Sequence, residues 1–323
     1  MNRWIFIWTL IFICTFSSAD VVRRACFDIG SGSTKLVVAD VDTETKTVNV
    51  IYEEDAKVDY KEDLLLSADN TLSDSILRKG LGTLASLAIK AHKKGAVQFA
   101  GVGTDVFRTA KNGEEYLEEV YDKLGIMVKL ITQEEEALLG YLAATQGESG
   151  KNFIVWDIGG SSMQISYQSD KFYIYSGNFA SVTMARYIIE KIQGHGPEVR
   201  TPNPVQVKEA EQACEYVASL AKEVEPEIKE AIKEATVIGI GGVHYYSVRN
   251  QVKKGKNYDI DSLFATLKAQ CNKTDQQIGG EYANTEVGNL ILVYGYMKEL
   301  GIKTVKVKKI NMAHALLMFP PLW

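Results

Sequence analysis

One arrangement of apolar and polar residues occurs twice in the chain. The first copy is RACFDIGSGSTKLVVADVD (24–42) and the second is FIVWDIGGSSMQISYQSD (153–170). In each copy an apolar strand ends in an aspartate, a turn of glycine and serine follows, and a second apolar strand leaves the turn. Alternation with period two and β-branched residues predict a β-hairpin in both places, not a strand followed by a crossover helix.

Helical and extended segments alternate after each hairpin. In the first half, residue spacing predicts helices over 72–95, 112–125 and 132–146, and strands over 96–104 and 126–131. In the second half it predicts a helix over 181–194, a long amphipathic helix from Val205 to about Glu234 that Pro226 interrupts, and strands over 236–242 and 303–310. Two similar halves predict an α/β protein whose two domains, 20–147 and 148–323, face a cleft.

The N-terminal residues form a separate unit. Arg3 supplies a positive charge, Trp4 to Phe16 form an apolar run, and Ser17-Ser18-Ala19 offers small residues for cleavage. This pattern is typical of a secretory signal peptide over residues 1–19. The run is shorter than the about 20 apolar residues that cross a bilayer. We therefore expect a secreted or periplasmic protein without a stable membrane span after cleavage; an uncleaved anchor is the alternative.

Composition limits the function classes. The chain has 323 residues, 46% of them apolar, and a formal charge of −5, so no overall basic field favours nucleic acid as a partner. Cleavage would leave three cysteines, which is too sparse a set for a disulfide framework. We expect Cys26 to be a buried small apolar residue, while a bridge between Cys214 and Cys271 is left open.

The glycine-rich turns suit an anion. Backbone N–H groups can approach a phosphate closely at glycine, and serine hydroxyls add donors. The candidate phosphate-binding residues are Gly30, Ser31, Gly32, Ser33 and Thr34 in the first turn, Gly159, Gly160, Ser161 and Ser162 in the second, and Gly241 and Gly242 in IGIGG (238–242). Asp28 and Asp157 would repel a phosphate directly, but both can hold a hard cation such as Mg²⁺ that also takes phosphate oxygens.

Three such loops around one cleft resemble the superfamily of acetate and sugar kinases, Hsp70 and actin. Within it, residues 22–318 are similar to the exopolyphosphatase/guanosine pentaphosphate phosphatase family. FDIGSGSTKLVVAD resembles the first phosphate motif of that family, with Gly32 where asparagine is common and Lys35 where arginine is frequent. The resemblance implies two actin-like (ribonuclease H-like) α/β domains flanking a cleft. It also implies a short two-domain form, because longer relatives append a helical domain.

Two further segments carry the resemblance. VGTDVFRTAKN (102–112) matches the family pattern A-T-x-A-x-R-x-A-x-N at Thr104, Arg108, Ala110 and Asn112. ITQEEEALLGYLA is similar to the segment that contains the catalytic glutamate of the family, which corresponds to Glu136 here. From the run of three glutamates alone, a helix start with acidic residues is the simpler reading. The resemblance implies that Glu136 is a base and that Arg108 contacts a phosphate.

The expected activity is Mg²⁺-dependent release of terminal phosphate from inorganic polyphosphate or a phosphorylated guanosine nucleotide such as guanosine pentaphosphate. Gln164 closes WDIGGSSMQ where the family has glutamate, and secreted apyrases end the same motif in glutamine. We interpret Gln164 as a residue that positions the attacking water, because an amide has no charge and is a poor metal ligand. The alternatives are an apyrase-like nucleoside di- or triphosphatase and a non-catalytic nucleotide sensor. A homodimer is left open.

Overall fold

The structure is a computed structural model that describes residues 21–150, 152–253, 255–319 and 322–323. The predicted signal peptide over 1–19 lies outside the described residues, and its cleavage stays a prediction. Among the helices of the described part, none is both long and apolar enough to cross a membrane.

The first half of the chain forms a five-stranded mixed sheet. Its strands are β1 (Val21–Ile29), β2 (Ser33–Asp42), β3 (Thr47–Lys57), β4 (Gln98–Gly103) and β5 (Met127–Leu130), in the order β3-β2-β1-β4-β5. The helices of this half are α1 (Tyr60–Leu65), α2 (Asp74–Lys93), α3 (Asp105–Thr109), α4 (Gly113–Leu124) and α5 (Gln133–Thr145). The predicted hairpin pairs β1 with β2 antiparallel, whereas β4 joins β1 in parallel.

The second half repeats this plan with a six-stranded sheet. Its strands are β6 (Phe153–Ile158), β7 (Met163–Gln168), β8 (Phe172–Gly177), β9 (Thr236–Ile240), β10 (Asn257–Asp259) and β11 (Thr304–Val307), in the order β10-β11-β9-β6-β7-β8. The helices are α6 (Ser181–Tyr187), α7 (Val207–Ala221), α8 (Pro226–Ile232), α9 (Arg249–Val252), α10 (Ile260–Gln270), α11 (Asp275–Ile278), α12 (Ala283–Leu300) and α13 (Met312–Leu316). Two π-helical segments, Ile188–Ile192 and Val243–Val248, follow α6 and β9. The predicted α/β class with two related halves is confirmed.

Strand alternation places each motif aspartate on a defined face of its sheet. In β1, Ala25, Phe27 and Ile29 enter the apolar core beneath α2 and α4, whereas Cys26 belongs to the core on the opposite face. Successive side chains of a strand point to opposite faces, so Asp28 shares the face of Cys26. In β6 the same rule puts Asp157 on the face of Val155, which packs with α5.

Each of these faces is covered by a helix that comes from the other half of the chain. Tyr141 and Ala144 of α5 pack on Val155 of the second sheet. Met312 and Leu316 of α13 pack in the core of the first sheet. The two halves are therefore tied together beside the aspartates. The predicted domain boundary at 147/148 lies between α5 and β6, and it stays a prediction.

The predicted interruption of the helix from Val205 to about Glu234 is confirmed, because α7 ends at Ala221 and α8 begins at Pro226. Proline is favourable in the first turn of a helix, where its missing N–H has no intrahelical acceptor, so Pro226 is the first residue of the second helix. Within the described residues, Cys214 and Cys271 are free thiols and not a bridge, while Cys26 is buried as predicted.

Candidate active site

A cleft of about 400 Å³ lies between the two sheets. Residues from both halves of the chain line it. The predicted site residues in its lining are Asp28, Gly30, Ser31, Gly32, Ser33, Glu136, Asp157, Gly159, Gly160, Ser162, Gly241 and Gly242. The remaining predicted residues, Thr34, Arg108, Ser161 and Gln164, are not part of this lining. The tandem aspartates thus share one cavity, as the duplicated hairpin predicts.

The first loop is a tight turn between β1 and β2. Gly30 N–H donates to the carbonyl of Ser33 at 2.9 Å, which closes the turn. Asp28 and Lys35 are cross-strand partners, and Lys35 Nζ lies 3.0 Å from Asp28 Oδ2. Thr34 is fully buried behind the turn. The hairpin register therefore gives Asp28 an ammonium partner inside the cleft.

The second loop touches the first. Gly159 N–H donates to the carbonyl of Ser162 at 3.0 Å in the same turn geometry. Ser31 Oγ and Ser161 Oγ are 2.6 Å apart, so the two loops share a hydrogen bond. A side chain at Gly160 would lie 3.3 Å from the backbone nitrogen of Gly32. A side chain here would be tight because two backbones approach each other, and this close approach brings both sets of loop amides to one place.

The third loop packs against the second aspartate. Gly241 has φ +83°, and a Cβ there would lie 2.3 Å from Asp157 Oδ1. Only glycine adopts this left-handed backbone without strain, and only glycine leaves the space beside Asp157 free. Gly242 has no comparable neighbour. Gly241 thus allows β9 to approach the carboxylate that β6 presents.

Lys35 is the cation at the centre of the site. Its cross-strand neighbours are Asp28 on β1 and Asp55 on β3. Burial alone would lower the pKa of Lys35, but the charges of Asp28, Asp55 and Asp157 outweigh it and raise that pKa above its usual range. For Asp157, burial raises the pKa to about 7 and repulsion from Asp28 adds to it, whereas Lys35 opposes it. The single positive charge of Lys35 does not balance the negative charges of all three carboxylates.

Glu136 lies in the first turn of α5 and faces the cleft. Thr132 and Glu135 form a capping box at this helix start, so Glu135 is bound to the helix and to Lys129, whereas Glu136 is buried. Burial raises the pKa of Glu136 to about 8, Asp157 and Asp28 add to the rise, and Arg108 lowers it. A carboxyl group with such a pKa can exchange protons near neutral pH.

Arg108 orients Glu136. Its guanidinium lies 3.3 Å from Glu136 Oε2 and donates to the carbonyl of Ile131 at 2.6 Å. Both contacts tie α3 to the start of α5. The structure therefore places Arg108 beside the glutamate and outside the described lining of the cleft. Its direct contact with a phosphate stays a prediction.

Asp105 is a site residue that the sequence prediction misses. Ser161 Oγ donates to Asp105 Oδ2 at 2.5 Å, and Lys61 Nζ lies 3.1 Å from the same oxygen. Together with the Ser31–Ser161 contact this makes a chain of hydrogen bonds between the two halves. Asp105 occupies a variable position in the VGTDVFRTAKN pattern, so the only signal was an acidic residue one position after the matched Thr104.

Gln164 lies directly opposite Asp157 in the β6–β7 ladder. Opposed residues of an antiparallel pair share one face, so both side chains lie on the face that α5 covers. Gln164 is 2% exposed, and its Nε2 has no hydrogen-bond partner within the described residues. A buried amide without a partner is suited to hold a water molecule. The role of Gln164 stays a prediction.

The sequence model of the Ppx/GppA phosphatase family matches residues 37–262, which is more than half of the chain. The chain belongs to the Ppx/GppA phosphatase family. The match runs from β2 to α10 and so includes α3, α5, the second hairpin and the third glycine loop. The resemblance given by the motifs is thereby confirmed.

Two relatives are bacterial enzymes. The guanosine-5'-triphosphate,3'-diphosphate pyrophosphatases of Vibrio campbellii and Photobacterium profundum are 34% and 33% identical to this chain over 146 residues. That stretch covers 44% of this chain and 28% of each relative. The chain therefore matches less than a third of the length of these relatives.

Solved structures share the whole fold. The PPX-GPPA enzyme of Aquifex aeolicus has a TM-score of 0.70 at 18% identity, covering 92% of this chain and 99% of its own. An exopolyphosphatase from Cytophaga hutchinsonii has a TM-score of 0.72 at 15% identity, covering 91% and 96%. At such identities these structures show the common α/β fold alone.

The carboxylates of the cleft fit a magnesium ion. Mg²⁺ in phosphate-transfer sites is held by one or two carboxylates together with water and substrate oxygens. Asp28 and Asp157 line the same cavity, and the raised pKa of Asp157 reflects its uncompensated burial. Within the described part of the chain no group of three or more His, Cys, Asp or Glu residues could enclose a metal ion. The pair therefore suits a cation that water and phosphate complete.

Proposed function

We propose that this protein is a phosphoanhydride hydrolase that releases a terminal phosphate, with inorganic polyphosphate and guanosine pentaphosphate as candidate substrates. We further propose that it acts with Mg²⁺ and, after removal of its signal peptide, outside the cytoplasm. The observation that carries the proposal is the convergence of Glu136, Asp28, Asp157 and three glycine loops in one cleft. The relatives named as guanosine-5'-triphosphate,3'-diphosphate pyrophosphatases support the same class of reaction.

The loops bind the terminal phosphate in this account. Backbone amides of the loops, with the Ser162 hydroxyl, donate to its oxygens, and Lys35 adds a positive charge. Glu136 accepts a proton from the water that attacks the phosphorus atom, and Arg108 holds the carboxylate in position. Mg²⁺ at Asp28 and Asp157 would neutralise charge on the phosphate oxygens.

Phosphate release from a panel of substrates tests the proposal. The panel is tripolyphosphate, long-chain polyphosphate, guanosine pentaphosphate and ATP, each measured with Mg²⁺ and with EDTA. We expect release from at least one of the first three that EDTA stops and added Mg²⁺ restores. Saturable binding of these compounds without release from any of them would contradict the proposal and favour a sensor.

The pH dependence follows from Glu136. A base must be unprotonated to accept a proton, and the pKa of Glu136 is about 8. Below this value the active fraction falls about tenfold for each pH unit, so kcat/KM should rise from about pH 6 to about pH 8 and then level. The raised pKa of Asp157 acts in the same direction, because a cation needs the ionised carboxylate. A flat profile of kcat/KM over this range would exclude Glu136 as the base.

Gln164 is predicted to hold the attacking water. Gln164→Ala should then lower kcat by about tenfold, which corresponds to about 1.4 kcal/mol of transition-state stabilisation, with KM little changed. Gln164→Glu should alter the Mg²⁺ concentration that gives half-maximal activity, because it adds a carboxylate beside Asp157. Steady-state kinetics of both variants on tripolyphosphate and ATP checks this. Wild-type rates for Gln164→Ala on every substrate would make the residue a bystander.

A further inference from the structure

Asp105 is a buried carboxylate beside the cleft to which the proposed mechanism gives no role. It is 8% exposed, it stands in the first turn of α3, and it is not part of the described lining of the cleft. Its Oδ2 accepts the Ser161 hydroxyl at 2.5 Å and lies 3.1 Å from Lys61 Nζ. A buried charge is stable only where it is paired and hydrogen-bonded, and these two contacts meet both conditions.

The hydrogen bonds that lead from Ser31 to Asp105 run in one direction. In its salt bridge with Lys61 the carboxylate of Asp105 is ionised, and an ionised carboxylate only accepts hydrogen bonds. Ser161 therefore donates its single hydroxyl hydrogen to Asp105. The contact of 2.6 Å between Ser31 Oγ and Ser161 Oγ must then use the hydrogen of Ser31. Both hydroxyl hydrogens are thus bound within the protein, and neither is left for a phosphate.

The two serines belong to loops from different halves of the chain. Ser31 stands in the turn between β1 and β2, and Ser161 stands in the turn between β6 and β7. Both side chains are buried, so their hydrogen bonds are stronger than they would be in water. Lys61 adds a second link, because its backbone N–H donates to the carbonyl of Ser31 at 2.9 Å. Asp105 thus holds both loops, one through Ser161 and the other through Lys61.

The link between Asp105 and the base is much weaker. Asp105 Oδ1 lies 4.0 Å from Arg108 Nη2, which is beyond the length of a hydrogen bond. Arg108 is held instead by the carbonyl of Ile131 at 2.6 Å and by Glu136 at 3.3 Å. Loss of the Asp105 charge should therefore disturb the two loops more than the position of Glu136.

We propose that Asp105 is a positioning residue for phosphate binding, which acts through Ser161 and holds the two loops at the spacing where amides of both halves bind one phosphate. Asp105 itself does not touch the phosphate. The inference rests on the proposed function, which assigns the terminal phosphate to these loops. An interaction that is equal in the ground state and the transition state changes KM and leaves kcat unchanged. Asp105 should therefore affect the affinity for phosphate and not the chemical step.

Asp105→Asn tests this role. Asparagine keeps the shape of the side chain but removes its charge, so the hydrogen bond from Ser161 is no longer charge-assisted. We expect the KM for tripolyphosphate and the dissociation constant of inorganic phosphate to rise about tenfold, while kcat changes little. Asp74→Asn removes an exposed aspartate from the first turn of α2 and, as the matched control, should retain both values. A fall in kcat with an unchanged KM would overturn the proposal.

A double-mutant cycle separates positioning through Ser161 from a general loss of structure. Ser161→Ala removes the same hydrogen bond from its other end. If Asp105 acts through Ser161, adding Asp105→Asn to Ser161→Ala should weaken the binding of inorganic phosphate no further. Effects that multiply in the double variant would mean that Asp105 acts by another route, and they would overturn the proposal. A lower melting temperature with unchanged phosphate affinity would overturn it as well.

Calorimetric binding of inorganic phosphate separates this inference from the hydrolytic one, because it requires no turnover. If the protein releases phosphate from no substrate but the cycle gives the expected result for phosphate binding, the role of Asp105 stands and the proposed hydrolysis fails. If tripolyphosphate is hydrolysed but Asp105→Asn keeps the wild-type KM and phosphate affinity, the role of Asp105 is overturned while the hydrolysis stands. Absence of phosphate binding to the wild-type protein would also overturn this role.

Discussion

Replacing Glu136 by glutamine is expected to reduce kcat by about 100-fold or more, the range observed for loss of a general base, while KM changes little. Glutamine keeps the side-chain length and can still accept the hydrogen bond from Arg108, but it cannot take a proton from water. Phosphate release under saturating substrate measures the effect. Glu134→Gln is the matched control, because Glu134 is exposed in the same helical turn. An equal loss in that control would mean that the helix start matters only structurally.

Glu136→Gln should also change how the melting temperature depends on pH. The folded protein holds a proton on Glu136 up to pH about 8, whereas the ordinary pKa of the side chain is 4.5. Between these values the folded state binds more protons than the unfolded state, so this group makes the free energy of unfolding decrease as pH rises. The melting temperature of Glu136→Gln relative to wild type should therefore increase between about pH 5 and about pH 9. A difference that is constant with pH would contradict the burial of an ionisable group here.

Gly241→Ala is expected to destabilise the protein and to displace the Asp157 carboxylate. The new Cβ would lie 2.3 Å from Asp157 Oδ1, and the residue has φ +83°. A left-handed conformation at a residue with a side chain costs about 1–3 kcal/mol, and the displaced carboxylate adds to this loss. We expect a melting temperature lowered by several degrees and phosphate release reduced more than about tenfold.

Gly242→Ala is the matched control for stability. Its backbone has φ −64°, and a Cβ there would meet no atom within 4 Å. Its melting temperature should stay close to that of the wild type, measured by circular dichroism. If both variants lose the same stability, neither the left-handed backbone at residue 241 nor the overlap of a Cβ there with Asp157 explains why residue 241 is glycine.

Much of the fold follows from local sequence signals. The repeated strand–aspartate–turn pattern predicts both hairpins. Along the chain, each hairpin supplies the first two strands of its sheet. The predicted helix over 132–146 is confirmed as α5, and Thr132 and Glu135 form a capping box at its start. The break between α7 and α8 was predicted from Pro226, which stands at the first position of α8.

A site residue could be predicted only where it lies in a segment with a recognisable motif of its own. Asp28, Asp157 and Glu136 stand in recognisable segments. Lys35 as their partner was in principle readable, because a short turn fixes its register against Asp28. The contact of Asp105 with Ser161 was not, since it joins segments 56 residues apart in the chain. Such contacts depend on how the two halves meet, and no local pattern encodes that.

Hydrolysis of tripolyphosphate in water enriched in oxygen-18 shows which phosphorus atom the water attacks. If water attacks the terminal phosphorus atom held by the loops, the released phosphate should carry one labelled oxygen and the diphosphate product none. Mass spectrometry of both products reads the outcome. Label in the diphosphate, or no phosphate release at all with Mg²⁺ present, would contradict the account.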